Sequence, residues 1–162
     1  MFDDEQLDAA EKAASRAINL NPEKGEEFLL CDLHRILGKI HRSKGDKDRA
    51  IYHFETVIRI ASHFNWHHPL FWVHYGLADL FIAEREFSDA STHIELAKSH
   101  TVDDVYKLAC ATRLQANVWY LQPRLDDAKL EALHALEIYE KLGAAKNAEL
   151  CRELLQMIKW KM

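Results

Sequence analysis

Turn-forming residues are scarce in this chain of 162 residues: it holds five glycines and three prolines. So little material for tight reversals argues against a β-sandwich or barrel and suits long helices. No apolar run approaches the roughly 18 residues that a membrane-spanning helix needs, so no membrane is expected as partner. A basic excess is missing as well, and the net charge of −5 gives no reason to expect nucleic acid. The stretch from Met1 to Glu5 is acidic and is not a signal peptide. Cysteine is sparse: Cys31, Cys110 and Cys151 are odd in number, far apart and form no C-x-x-C pair. They read as reduced thiols of the core or groove in a cytoplasmic or nuclear protein. Gly-rich phosphate loops, G-x-S-x-G and H-E-x-x-H are absent too, so no enzyme, catalytic residue or cofactor is expected.

What the chain does have is a repeat. Small and large apolar residues recur as Ala10-Ala14-Ala17, Ala50-Phe54-Val57, Ala90-Ile94-Ala97 and Ala128-Ala132-Ala135, at steps of 40, 40 and 38 residues. A second pattern precedes the last three: His34-Leu37-Gly38-His41, His74-Leu77-Ala78-Phe81 and Thr112-Gln115-Ala116-Trp119. From the last residue of each to the following Ala the distance is always nine residues. A fixed offset across three units is the mark of a solenoid, in which each helix pair stacks only on its neighbours.

These two patterns resemble the tetratricopeptide repeat (TPR) family. Leu37-Gly38 and Leu77-Ala78 match its central Leu-Gly or Leu-Ala pair, Phe81 and Trp119 its second aromatic, and Pro22 its closing proline. His34, His74 and Thr112 replace the opening aromatic, Gln115 replaces a leucine, and the period exceeds the family's usual length of about 34 residues. Helices one turn longer account for the difference. The resemblance implies an all-α fold, a TPR-like α–α superhelix of antiparallel helix pairs.

Punctuation places the elements. A half repeat is expected over 4–22, repeats over 24–63, 69–99 and 102–142, and a capping helix over 145–160. Asn21-Pro22 breaks the chain, Gly45-Asp46 separates helices 24–44 and 47–63, and Pro69 opens helix 69–85. Ser88 is the expected N-cap of helix 88–99, and Thr101 to Asp104 reads as a capping box for helix 102–121. Pro123 precedes helix 125–142, which Gly143 closes. The final helix presents Leu150, Leu154, Leu155 and Ile158 at helical spacing. That stripe is expected to cap the stack, leaving a monomer, or with Trp160 to support a weak homodimer. Starting on a second helix, the chain is expected to be part of a longer protein. The array is similar to those attached to STAND-type signalling ATPases, where such a segment serves as a sensor or assembly surface.

In the TPR family the first helices line a groove. Its groove-facing positions, carried over, fall on Asp32, Arg35, Lys39, Arg42 and Ser43, then on Trp72, Tyr75, Asp79, Ile82 and Ala83, then on Cys110, Arg113, Asn117, Tyr120 and Leu121. The resemblance thus implies a groove basic at one end and aromatic in the middle. Aromatic residues and Arg dominate interface energetics, and the expected ligand is a peptide or protein segment with an acidic part and apolar anchors. Arg35, Lys39, Arg42, Trp72, Tyr75, Asp79, Arg113, Asn117 and Tyr120 are its candidate contacts. Arg113 and Asn117 match part of the family's clamp for chaperone tails, but Gly76 and Cys110 stand where Asn and Lys would be needed, which disfavours that ligand.

Ten histidines are many for this length, and His63, His67, His68 and His74 cluster in sequence. Neutral imidazole is a good metal ligand. Here His63 closes one expected helix and His67-His68 precede the next, with no nearby carboxylate or thiol to complete a set. No metal is expected, and loop or cap roles are.

Overall fold

The computed structural model describes residues 4–20 and 26–162. Among these, eight helices follow one another without a strand: α1 (Asp4–Leu20), α2 (Glu27–Ser43), α3 (Lys47–His63), α4 (His67–Ala83), α5 (Phe87–Ser99), α6 (Val105–Leu121), α7 (Leu125–Lys141) and α8 (Ala145–Lys161). Each packs on the next, α2 on α3, α4 on α5 and α6 on α7 most extensively, which makes the chain an α–α solenoid. The break expected at Asn21-Pro22 and the helix start expected at 24 lie outside the described residues.

From α2 onward, helix starts advance by 20 residues from Glu27 to Lys47, His67 and Phe87, and again from Val105 to Leu125 and Ala145. Every helix has 17 residues except α5, which has 13. A longer linker restores part of the loss, which is why the last step of the repeat is 38 and the others are 40.

The turns reuse one device. The amides of Asp46, Trp66, Glu86, Arg124 and Ala144 donate to the carbonyls of His41, Ala61, Phe81, Trp119 and Tyr139 at 2.8–2.9 Å. This bond back across the last helical turn satisfies a carbonyl that the helix end would orphan. It needs a left-handed residue just before the donor. Gly45 (φ +75°) and Gly143 (φ +67°) supply one without strain, while Asn65 (φ +54°) and Arg85 (φ +62°) adopt it with a Cβ.

Three expected boundaries move. α4 begins at His67, so Pro69 sits inside its first turn, where an amide has no intrahelical acceptor to lose. α5 begins at Phe87 after Glu86, and Ser88 is helical, its carbonyl accepting from the Thr92 hydroxyl at 3.0 Å. α6 begins at Val105, capped by Asp104, whose carboxylate accepts from the Lys107 amide at 3.1 Å. Thr101 instead donates back to the Lys98 carbonyl, and the left-handed Val102 (φ +42°) and Asp103 (φ +60°) cannot continue a helix.

The repeated small residues are the packing contacts. Ala50, Phe54, Val57, Ala90, Ile94, Ala97, Ala128, Ala132 and Ala135 are all at most 1% exposed. In α1 only Ala14 of the corresponding three is buried; Ala10 is exposed and Ala17 half-buried. Side-chain volumes compensate around each second helix. Phe54 lies against Gly38 and Gly76, where an added Cβ would stand 2.5 and 3.0 Å from its ring. One unit on, Ile94 shares a cluster with Ala78 and Leu114. In the last unit Ala132 meets Ala116 and Leu154. The bulk passes from the second helix to the next first helix while the space stays filled.

α8 buries Ala148, Cys151, Leu154 and Ile158. Leu150 of the expected stripe is instead 40% exposed and Leu155 half-buried, because Ala148 and Cys151 take the facing positions. Where α4 shows the buried Phe71, His74 and Ala78, α8 carries the exposed Glu149, Arg152 and Gln156.

Candidate partner-binding face

First helices touch one another along the stack: α2 meets α4, α4 meets α6, and α6 meets α8. The second helices α3, α5 and α7 make no such contacts among themselves. The stack is therefore tighter on the side of the even-numbered helices, which line its inner face.

On that face the sequence-derived positions meet across neighbouring helices. Arg42 of α2 forms an ion pair with Asp79 of α4. The Lys39 ammonium lies 5.9 Å from the centre of the Trp72 ring. Arg113 of α6 donates to the Tyr75 hydroxyl of α4 at 2.9 Å. The Tyr120 ring carries the Lys161 ammonium of α8 at 3.9 Å from its centre, which brings α8 into the same face. Asn117 is half-buried on α6 and makes no side-chain hydrogen bond among the described residues. Cys110 is 3% exposed and accepts from the Tyr139 hydroxyl at 3.3 Å, so it belongs to the core rather than to the face.

Charge on this face is narrower than the sequence suggests. Arg35 is paired with Asp32 at 2.9 Å, one helical turn away, and Arg42 is paired with Asp79. Lys39 is exposed and has no carboxylate partner among the described residues. Partial desolvation in the groove, with Arg35 and Arg42 nearby, holds its pKa below the usual lysine range. Arg113 is no free anchor either: its guanidinium serves Tyr75, and its Nε is buried without a hydrogen-bond partner. Trp72 and Tyr75 are half-buried, packed edge to face at 5.8 Å against the central core cluster. Burial raises the Tyr75 pKa.

Sequence reasoning missed one part of this surface. Between α1 and α2 lies an apolar cleft of about 510 Å³, with Leu7, Ala10, Ile36 and Ile40 in its walls and Arg35 and Lys39 at its rim. Ile36 and Ile40 are one turn apart on α2, a spacing visible in the sequence, but the apposition of α1 that makes it a cleft is not.

The histidines are arranged differently from the expected cluster. His63 and His68 are exposed. His67 opens α4 and bonds His100, Nδ1 to Nδ1, at 3.0 Å. His74 is 6% exposed, so it is a core residue and has no loop or cap role. It bonds His93 at 3.0 Å, and His34 bonds His53 at 2.9 Å. The signal for the last two was present in sequence as a repeated spacing of 19 residues, from 34 to 53 and from 74 to 93. No group of three or more side chains able to hold a metal ion converges among the described residues. No described helix is long and apolar enough to cross a membrane.

No protein-family profile matches the chain, and neither a curated protein nor a solved structure matches it.

Proposed function

We propose that this solenoid is a TPR-like, non-catalytic interaction module whose inner face holds an acidic segment of a protein partner. The observation that carries this reading is Lys39. It is a cation without a carboxylate, partly desolvated, set against an aromatic ring and at the rim of an apolar cleft. A ligand carboxylate placed there gains a charge-assisted bond to an ammonium that is already partly desolvated, and an adjacent apolar side chain enters the cleft. Arg42 and Asp79, Arg35 and Asp32, and Arg113 and Tyr75 satisfy one another and act as its frame. Buried free thiols at Cys31, Cys110 and Cys151 suit a reducing compartment, the cytoplasm or nucleus. The Cys31 thiol is pushed up to about 11 by burial, with Asp32 adding to it, which leaves it unreactive. The exposed Glu149, Arg152 and Gln156 of α8 suit a monomer, while the exposed Leu150, Met157 and Trp160 would serve a weak homodimer.

Selection of a random peptide display library on the intact chain tests the proposal. Wild type should enrich peptides with Asp or Glu beside an aliphatic or aromatic residue, and Lys39→Glu should abolish that enrichment with its helical circular dichroism intact. The same peptides enriched on both proteins would remove the inner face from the function.

A further inference from the structure

Seven of the ten histidines are drawn into two clusters, and both lie between the helices of one repeat. In the first, His34 of α2 and His53 of α3 are bonded, and His41 stacks on His53 with ring centres 5.3 Å apart and planes 6° from parallel. In the second, the bonded pairs His74–His93 and His67–His100 are joined face to face by a stack of His74 on His100, at 5.8 Å and 5°. Both clusters tie a first helix to its own second helix. In the third repeat the places of His74 and His93 are taken by Thr112 and Glu131, so that unit has no imidazole pair.

An Nδ1–Nδ1 bond counts protons. In a neutral pair one ring donates from Nδ1 and the other accepts there. One added proton can go to the free Nε2 of the donor ring, and the bond survives. A second must go to the accepting Nδ1, and then two N–H groups of two cations face each other at about 3 Å. The bond is replaced by repulsion, and in the second cluster the His74–His100 stack places the two pairs' charges together.

We propose that the two clusters are a proton-operated latch: α2–α5 is held closed by neutral imidazole pairs and loosens in mild acid, while α6–α8 stays packed.

Burial opposes charging of His34, His53, His74, His93 and His100, while carboxylates nearby favour it. On the first cluster, Arg49 and Arg59 of α3 bear on His53 and His34. Glu11 of α1 and Asp46 lie 3.8 and 4.0 Å from the His41 ring nitrogens. The carboxylate that bears on His93 is Asp89 of α5, and Lys47 of α3 lies over the far side of the cluster, 5.8 Å from the Phe81 ring on which His93 stacks. Burial, with His93 and His100 beside it, pushes His74 down to about 4, and burial with His34 and His41 does the same to His53. Both folded values lie below the unfolded one. The stability they represent is therefore complete above about pH 6.5 and is lost as pH falls toward 4. For His74 alone the folded-to-unfolded ratio falls about 25-fold between pH 7.4 and pH 5.0.

Hydrogen exchange of the whole chain read by mass spectrometry at pH 7.4 and 5.0, with labelling times scaled for intrinsic exchange, tests the latch. Peptides of α2–α5 should lose protection by about tenfold or more relative to those of α6–α8. His53→Gln with His93→Gln, which removes the titrating partner of His34 and of His74 and leaves the His67–His100 pair, should at least halve that contrast; an unchanged contrast would overturn the latch. Equal loss along the chain, or full protection at pH 5.0, would overturn it. If the double variant does not fold at pH 7.4, ring ¹⁵N spectra of wild type decide. Each pair must show one Nδ1-protonated and one Nε2-protonated ring, and uniform Nε2 protonation would end the proposal.

Discussion

Arg85 is held at φ +62° because the turn after α4 requires a left-handed residue there, yet its side chain is exposed and gains nothing from the position. An L-residue in that region costs roughly 1–2 kcal/mol, and the two equivalent turns at Gly45 and Gly143 avoid it. Arg85→Gly should therefore stabilise the chain by about 1 kcal/mol after the added entropy of the unfolded state is subtracted, raising the melting temperature by about 2–4 °C. A calorimetric scan showing no rise would mean that the turn is relaxed as it stands. The converse holds at Gly38, where the constraint is space rather than φ. A Cβ there would meet the Phe54 ring at 2.5 Å, and that ring is fully buried in the packed core. Gly38→Ala should cost about 1–3 kcal/mol in urea unfolding. Phe54→Leu in the same chain should recover part of that loss, whereas additive losses would show that the two positions do not share the crossing.

At the scale of the element, the sequence exposed whatever repeats and hid whatever depends on two segments at once. The spacing of Ala50-Phe54-Val57 and Ala90-Ile94-Ala97 sufficed to place α3 and α5 and to assign their buried faces, because a small residue at a helix crossing is a local choice. Helix starts were less legible where a cap residue had a competitor. Ser88 and Thr101 both look like caps, but Glu86 and Asp104 precede the helices that form. The inner face was legible as a set of positions and not as a charge pattern. That Arg42 is neutralised by Asp79, 37 residues away, depends on how α2 meets α4, and no local rule of sequence reports it. The same limit applied to the histidines: His67 and His68 are adjacent in sequence, but one is bonded to a ring 33 residues on and the other faces solvent against Trp72.

Over the whole molecule, each helix pair depends on its neighbours for burial, so the ends of the stack matter more than in a globular core. α8 supplies the far wall of the last unit: Leu154 and Ile158 cover Ala116, Ala128 and Ala132. Deleting residues 145–162 should expose that wall, lower the melting temperature and raise binding of a hydrophobic dye; a truncated chain that melts unchanged without dye binding would show that α7 closes the stack unaided. The lopsided contacts of the stack have a mechanical meaning as well. A coil whose turns touch on the inside and stand apart on the outside behaves as a spring with its resistance on one side. Pulled from its two ends, it would load Arg42–Asp79, Lys39–Trp72 and Arg113–Tyr75 on the inner side, whereas on the outer side Lys47–Glu86 ties the start of α3 to the cap of α5 and the second helices do not pack on one another. The side chains that frame the inner face add to the packing of α3 on α4 and α5 on α6 in resisting extension, so a ligand bridging them would also act as a splint.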